Sequence, residues 1–81
     1  MPQKLPQVSG RNVVKLLEGL GYVMVRQRGS HVRLRKAMKT GTRNITVPLH
    51  KTIAKGTLSD ILSKVSLWND IPKENLIEKL K

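Results

Sequence analysis

The chain has no cysteine. Disulfides, thiolate nucleophiles and zinc sites of the cysteine type are therefore excluded. Phenylalanine is absent, and Tyr22 and Trp68 are the sole tyrosine and tryptophan. That is too few rings for an RRM-type or OB-type surface that stacks several bases. Acids are scarce as well: Glu18, Asp60, Asp70, Glu74 and Glu78 are all there are. They fall on expected helices or helix caps, so the clustered carboxylates of a two-metal nuclease are not expected. No P-loop or dinucleotide fingerprint occurs. The sequence thus predicts neither metal nor cofactor. No apolar run approaches the length of a membrane span, and the opening MPQKLPQVSG lacks the apolar stretch of a secretory signal. A soluble, cytoplasmic protein with no membrane partner is expected.

What the chain carries in excess is positive charge. Sixteen Lys and Arg in 81 residues leave a net charge of +11. Such a surface favours a polyanion, because phosphate neutralisation releases counterions. Nucleic acid is the first expectation; an acidic protein or an anionic membrane is the alternative. The length suits one small domain, which buries roughly 60% of its surface. That allows two layers of secondary structure but no deep substrate chamber.

Residues 1 to 8 carry two prolines and read as extended. Ser9 is a candidate N-cap, with Val8 and Val13 spaced as a hydrophobic staple. Val13, Val14, Leu16, Leu17 and Leu20 recur at helical spacing, and Gly21 is a stop signal, so a helix is expected over residues 10–19. YVMVRQR and HVRLRK then alternate as strands around Gly29-Ser30, a pair suited to a type II′ hairpin. Strict alternation puts Val23, Val25, Val32 and Leu34 on one face and Tyr22, Met24, Arg26, Arg28, His31, Arg33 and Arg35 on the other. AMKTGT reads as a basic turn or loop. RNITVP reads as a third strand with Ile45 and Val47 inward, and LHKTIAKG as a second basic loop. Thr57 with Asp60 resembles a capping box for a second helix whose buried stripe is Leu58, Ile61, Leu62 and Val65. A short final helix is expected with Asp70 as cap, Pro72 in the first turn, and Leu76, Ile77 and Leu80 apolar. Trp68 reads as a core lid beneath it.

The resulting order is α-β-β-β-α with an extra short C-terminal helix. Helices on one face of an antiparallel meander make an α+β two-layer sandwich with double-stranded-RNA-binding-domain-like topology. Residues 1–81 form a single domain in this reading.

RQRGSHVRLRK, residues 26–36, places one imidazole among four arginines and a lysine. RNA supplies its own nucleophile, the 2′-hydroxyl. Metal-free cleavage then needs a group that moves a proton near neutral pH, which histidine can do, and cations that hold the phosphoryl oxygens. DNA lacks that hydroxyl, so the mechanism is confined to RNA. His31 is the candidate acid or base, and His50 a possible second. Arg26, Arg28, Arg33 and Arg35 are candidate RNA-binding residues. So are Lys51 and Lys55, before the second helix, and Ser30, by its hydroxyl. Each has a plainer reading: a surface histidine, a charged strand face that deters aggregation, ordinary loop lysines, a serine that suits a turn. A non-catalytic RNA-binding module, or a basic partner of an acidic protein, would carry the same residues.

VSGRNVVKLLEGLGYVMVRQRGSHVRLR followed by ITVPLHKTIAKGTLSDIL closely resembles the HicA toxins of HicA–HicB toxin–antitoxin systems. The resemblance spans roughly residues 5–67 and leaves 68–81 as an extension. It rests on an ordered set: S-G-x-x-V-V-x-x-L, G-Y before the first strand, R-x-x-G-S-H, V-P-x-H, and K-G-T-L. It implies a double-stranded-RNA-binding-domain-like fold and an mRNA interferase that arrests translation. It further implies catalysis by His31, with His50 as the second motif histidine. The implied partner is a HicB antitoxin, through which alone the complex would meet DNA.

Overall fold

The computed structural model describes residues 5–81. Its elements are α1 (Gly10–Gly19), β1 (Val23–Arg28), β2 (His31–Met38), β3 (Gly41–Pro48), α2 (Lys55–Asn69) and α3 (Lys73–Leu80). The strands form one antiparallel sheet in the order β1-β2-β3. This is the α+β, double-stranded-RNA-binding-domain-like layout with one further helix. The expectation of extended chain over residues 1–8 falls partly outside the described residues, since 1–4 are not among them; residues 5–9 are irregular.

α1 begins and ends as its sequence dictates. The Ser9 side chain accepts the Asn12 N–H at 3.2 Å, and Val8 and Val13 are both buried, so cap and staple form together. At the other end the Tyr22 N–H donates to the Leu17 carbonyl and the Gly21 N–H to that of Glu18, at 3.0 and 3.1 Å. Gly21 sits at φ 100°, a value that costs glycine nothing. This paired closure carries a hydrophobic contact between its ends, which is why Tyr22 is buried against the core beside Leu17. Tyr22 is therefore absent from the basic face where alternation alone had put it.

The first hairpin holds a second departure. Gly29 takes φ 58°, as the first central position of a type II′ turn requires. From that turn Arg28 pairs with His31, Gln27 with Val32 and Arg26 with Arg33, but Met24 pairs with Leu34 and Val23 with Arg35. The extra residue, Val25, is a β-bulge. It inverts the two positions before it: Met24 turns to the helix side and Val23 to the open side. Val23, Met24 and Val25 are all exposed, so the expected inward valines of β1 contribute nothing to the core.

The segment read as a basic loop, AMKTGT, is mostly strand. β2 runs to Met38, β3 starts at Gly41, and Lys39-Thr40 alone make the turn. Val32, Leu34, Ile45 and Val47 are buried against the helices. Lys36 and Arg43 have the same parity and edge that core. Lys36 Nζ donates to Asn69 Oδ1 at 2.6 Å, Asn69 Nδ2 donates to the Tyr22 hydroxyl at 3.1 Å, and the Arg43 guanidinium lies 5.6 Å from the centre of the Trp68 ring. Trp68 is half-buried, covered by this strand residue.

α2 starts at Lys55, with Ala54 as its cap and no side-chain capping bond. Neither Thr57 nor Asp60 caps it; Asp60 pairs instead with Lys64 at 3.1 Å on the exposed face. The start is set by a tertiary anchor. Ile53 is buried, and its N–H donates to the Val8 carbonyl at 2.9 Å. The chain turns helical directly beyond that point. Leu58, Ile61, Leu62 and Val65 form the buried stripe as expected. Asp70 ends α2 at φ 54° and does not cap α3, whose N-cap is Pro72. α3 packs against α1 and α2 and lays Leu76, Ile77 and Leu80 into the common core.

Candidate functional site

The face of the sheet away from the helices carries the odd-numbered residues of β2. His31, Arg33 and Arg35 are exposed there, while Val32 and Leu34 between them are buried. The type II′ turn puts Arg28 across from His31, and the pairing puts Arg26 across from Arg33. From the other side β3 brings Thr46 opposite Arg33. Together Arg26, Arg28, His31, Arg33 and Thr46 line a shallow depression of about 200 Å³. Arg35 stands one step further along, its Nε donating to Asn44 Oδ1 at 3.1 Å. A planar guanidinium presents several fixed donors, so the depression is an imidazole ringed by groups suited to hold phosphoryl oxygens.

His50 reaches the same end of the molecule by a different route. Beyond Pro48 the chain is pinned on both sides. The Leu49 N–H donates to the Ser30 carbonyl at 2.6 Å, the Gly10 N–H donates to the His50 carbonyl at 2.9 Å, and the Ile53 N–H donates to the Val8 carbonyl. The motifs SG, GSH and VPLH, distant in sequence, thus meet at one corner. The His31 and His50 ring centres lie 6.5 Å apart, their planes inclined at 67°. Ser30 takes part through its backbone carbonyl.

Gly10 is the keystone of this corner. A Cβ there would collide with the Pro48 carbonyl and come 2.8 Å from Leu49 Cα. These are backbone atoms and cannot swing aside. Gly10→Ala is expected to lower stability by about 1–3 kcal/mol, the usual cost of overpacking, and to move the loop that holds His50. Urea denaturation checks the loss of stability; an unchanged midpoint would mean the corner yields freely.

Residues 10–67 match the family model described as the HicA toxin of bacterial toxin-antitoxin. The chain belongs to this family. It is accordingly a toxin of a toxin–antitoxin pair, with a cognate antitoxin as partner. Comparison with curated proteins and with solved structures returned no match. The HicA match begins at Gly10 and stops at Leu67 within α2. It contains the turn of His31, the loop of His50 and Gly10 between them, and it leaves α3 outside.

Not all of the expected site residues gather in this HicA chain. Arg26, Arg28, His31 and Arg33 share the depression, and His50 stands beside His31. Lys51 is exposed on the connection after His50, and Lys55 is the first residue of α2, not a loop residue; neither lines the depression. Thr46 and Asn44 join the site without having been anticipated. The alternation of NITVP signals both, since Ile45 and Val47 inward require Asn44 and Thr46 outward. Among the described residues, no three His, Cys, Asp or Glu side chains are grouped to hold a metal ion. Among the same residues, no helix is long and apolar enough to cross a membrane.

Proposed function

We propose that this toxin is a metal-independent endoribonuclease, an mRNA interferase, with His31 as a proton-transfer residue and Arg26, Arg28, Arg33 and Arg35 as the phosphate-binding set. The observation that carries the reading is the depression itself: an exposed imidazole with three guanidinium groups and a threonine around it, on the open face of a HicA fold. The reacting 2′-hydroxyl belongs to the RNA. The protein then has to accept a proton and stabilise charge on the phosphoryl group, which imidazole and guanidinium do. Ser30, Lys51 and Lys55 extend the basic surface along which the strand would run. A HicB-type antitoxin neutralises the toxin by covering this face, and DNA is met only through that complex. Cleavage of mRNA would take place in the cytoplasm.

The test is a cleavage assay with mapped product ends. A 2′,3′-cyclic phosphate and a 5′-hydroxyl are expected, at a rate unaffected by EDTA. Loss of activity on chelation would show a metal-dependent enzyme and end this proposal. The arginines have their own signature. Arg28→Ala and Arg33→Ala should weaken RNA binding across sequences. Removing one cation from the phosphates of single-stranded RNA should lower the log–log salt slope by about 0.7. An unchanged slope would show that these residues do not bind phosphate.

A further inference from the structure

We infer that His50 is a second catalytic residue, and that His31 and His50 work as a paired acid and base on the two sides of one phosphoryl group. The inference rests on the ribonuclease reading and deepens it. Two adjacent histidines are often no more than neighbours on a loop, but three features here say otherwise.

The first is separation. Ring centres 6.5 Å apart are too distant for the imidazoles to bond each other, since a proton passes directly only over roughly 2.6–3.2 Å. They are close enough for both to reach one small group held between them. In phosphoryl transfer the attacking and leaving oxygens lie roughly in line through phosphorus, so base and acid must stand apart, on opposite flanks. The second is availability. Both rings are exposed, and among the described residues neither ring nitrogen has a hydrogen-bond partner. The third is placement. His50 is held by the Leu49 to Ser30 and Gly10 to His50 backbone bonds, so its position is tied to the same turn that fixes His31. A loop that only joined β3 to α2 would not need both clamps, nor a first helical residue too crowded for any side chain.

One imidazole, neutral at the start, takes the 2′-hydroxyl proton as the bond from the 2′-oxygen to phosphorus forms. The other, starting as imidazolium, gives its proton to the 5′-oxygen as the bond from phosphorus to that oxygen breaks. The products are a 2′,3′-cyclic phosphate and a 5′-hydroxyl. Each histidine leaves with the protonation state of the other, and exchange with water restores both. The arginines hold the non-bridging oxygens throughout.

The experiment compares wild type, His31→Ala, His50→Ala and His50→Gln on two RNAs: an ordinary oligonucleotide, and one whose scissile 5′-bridging oxygen is replaced by sulfur. A thiolate leaves without being protonated, so the sulfur substrate no longer needs the acid. His50→Ala and His50→Gln should lose about 100-fold or more in single-turnover rate on ordinary RNA, the usual contribution of one proton-transfer group. The sulfur substrate should restore one of the two alanine variants, thereby naming the acid, and leave the other slow. His50 is exposed and its backbone bonds do not involve its ring, so both variants should fold, as circular dichroism will show. His50 variants within threefold of wild type would overturn the pairing while leaving His31 in place. A His50 effect confined to RNA affinity would also overturn it, as would a rate loss on which sulfur restores neither variant. Full activity of His31→Ala is the distinct outcome that would sink the ribonuclease reading itself.

Discussion

Replacing His31 with alanine is expected to reduce RNA cleavage by about 100- to 10,000-fold, the range removed with one positioned proton-transfer group, and to abolish toxicity in cells. The fold should be unaffected. His31 is exposed at the start of β2, its pairing with Arg28 and Pro48 runs through backbone, and it is not a member of the hydrophobic core. RNA affinity should change little, because Arg26, Arg28 and Arg33 remain around the depression and their contribution is electrostatic. This combination separates an enzyme from a binding module built on the same surface. In a module, His31→Ala would shift affinity slightly and toxicity in proportion. Side-by-side cleavage rates, binding isotherms and growth curves decide it, and a variant that cleaves at the wild-type rate excludes His31 from the chemistry.

The second large effect concerns the segment beyond the family match. Truncation after Asn69 is expected to unfold the protein. Leu76 is 0%, Ile77 4% and Leu80 9% exposed. Burial of each such side chain is worth about 1.5–3 kcal/mol, and a small domain has only about 5–15 kcal/mol in all. Lys73 adds a polar tie, with Nζ donating to Ser59 and Ser63 of α2 at 2.8 Å each. Truncation would also strip the covering from the helices that α3 packs on. Its thermal transition should disappear, and the point variant Leu76→Ala should cost about 2–5 kcal/mol while still folding. A truncated chain with a cooperative melt near that of the full chain would show α3 to be an appendage. The structure gives it another role: this HicA fold completes its core with residues that lie outside the family match.

Much of this was legible from residue patterns. The α1 cap and stop, the stripe of α2, the inward pair of β3 and the outward arginines each follow from local periodicity, and local periodicity is what a linear sequence records. The misreadings share one cause. Val25 is the extra residue where β1 shifts register against β2, and nothing in YVMVRQR marks it. Tyr22 is buried because the closure of α1 folds it back onto Leu17. The capping-box pattern at Thr57 and Asp60 lost to the anchor of Ile53 on Val8, a bond between residues 45 positions apart in the chain. The contacts of Lys36 with Asn69 and of Arg43 with Trp68 likewise join strands to the end of α2, and no local pattern signals them.

By itself, the sequence determined the order of elements, the charge of the open face and the placing of one imidazole amid guanidinium groups. These depend on side-chain spacing along helix or strand, a property of neighbours in the chain. Tertiary structure alone decided that His50 stands beside His31, that Gly10 must lack a side chain, and that α3 belongs to the core. Each of these depends on segments far apart in the chain meeting under backbone hydrogen bonding and close packing, and the distances they set are not encoded in any local pattern.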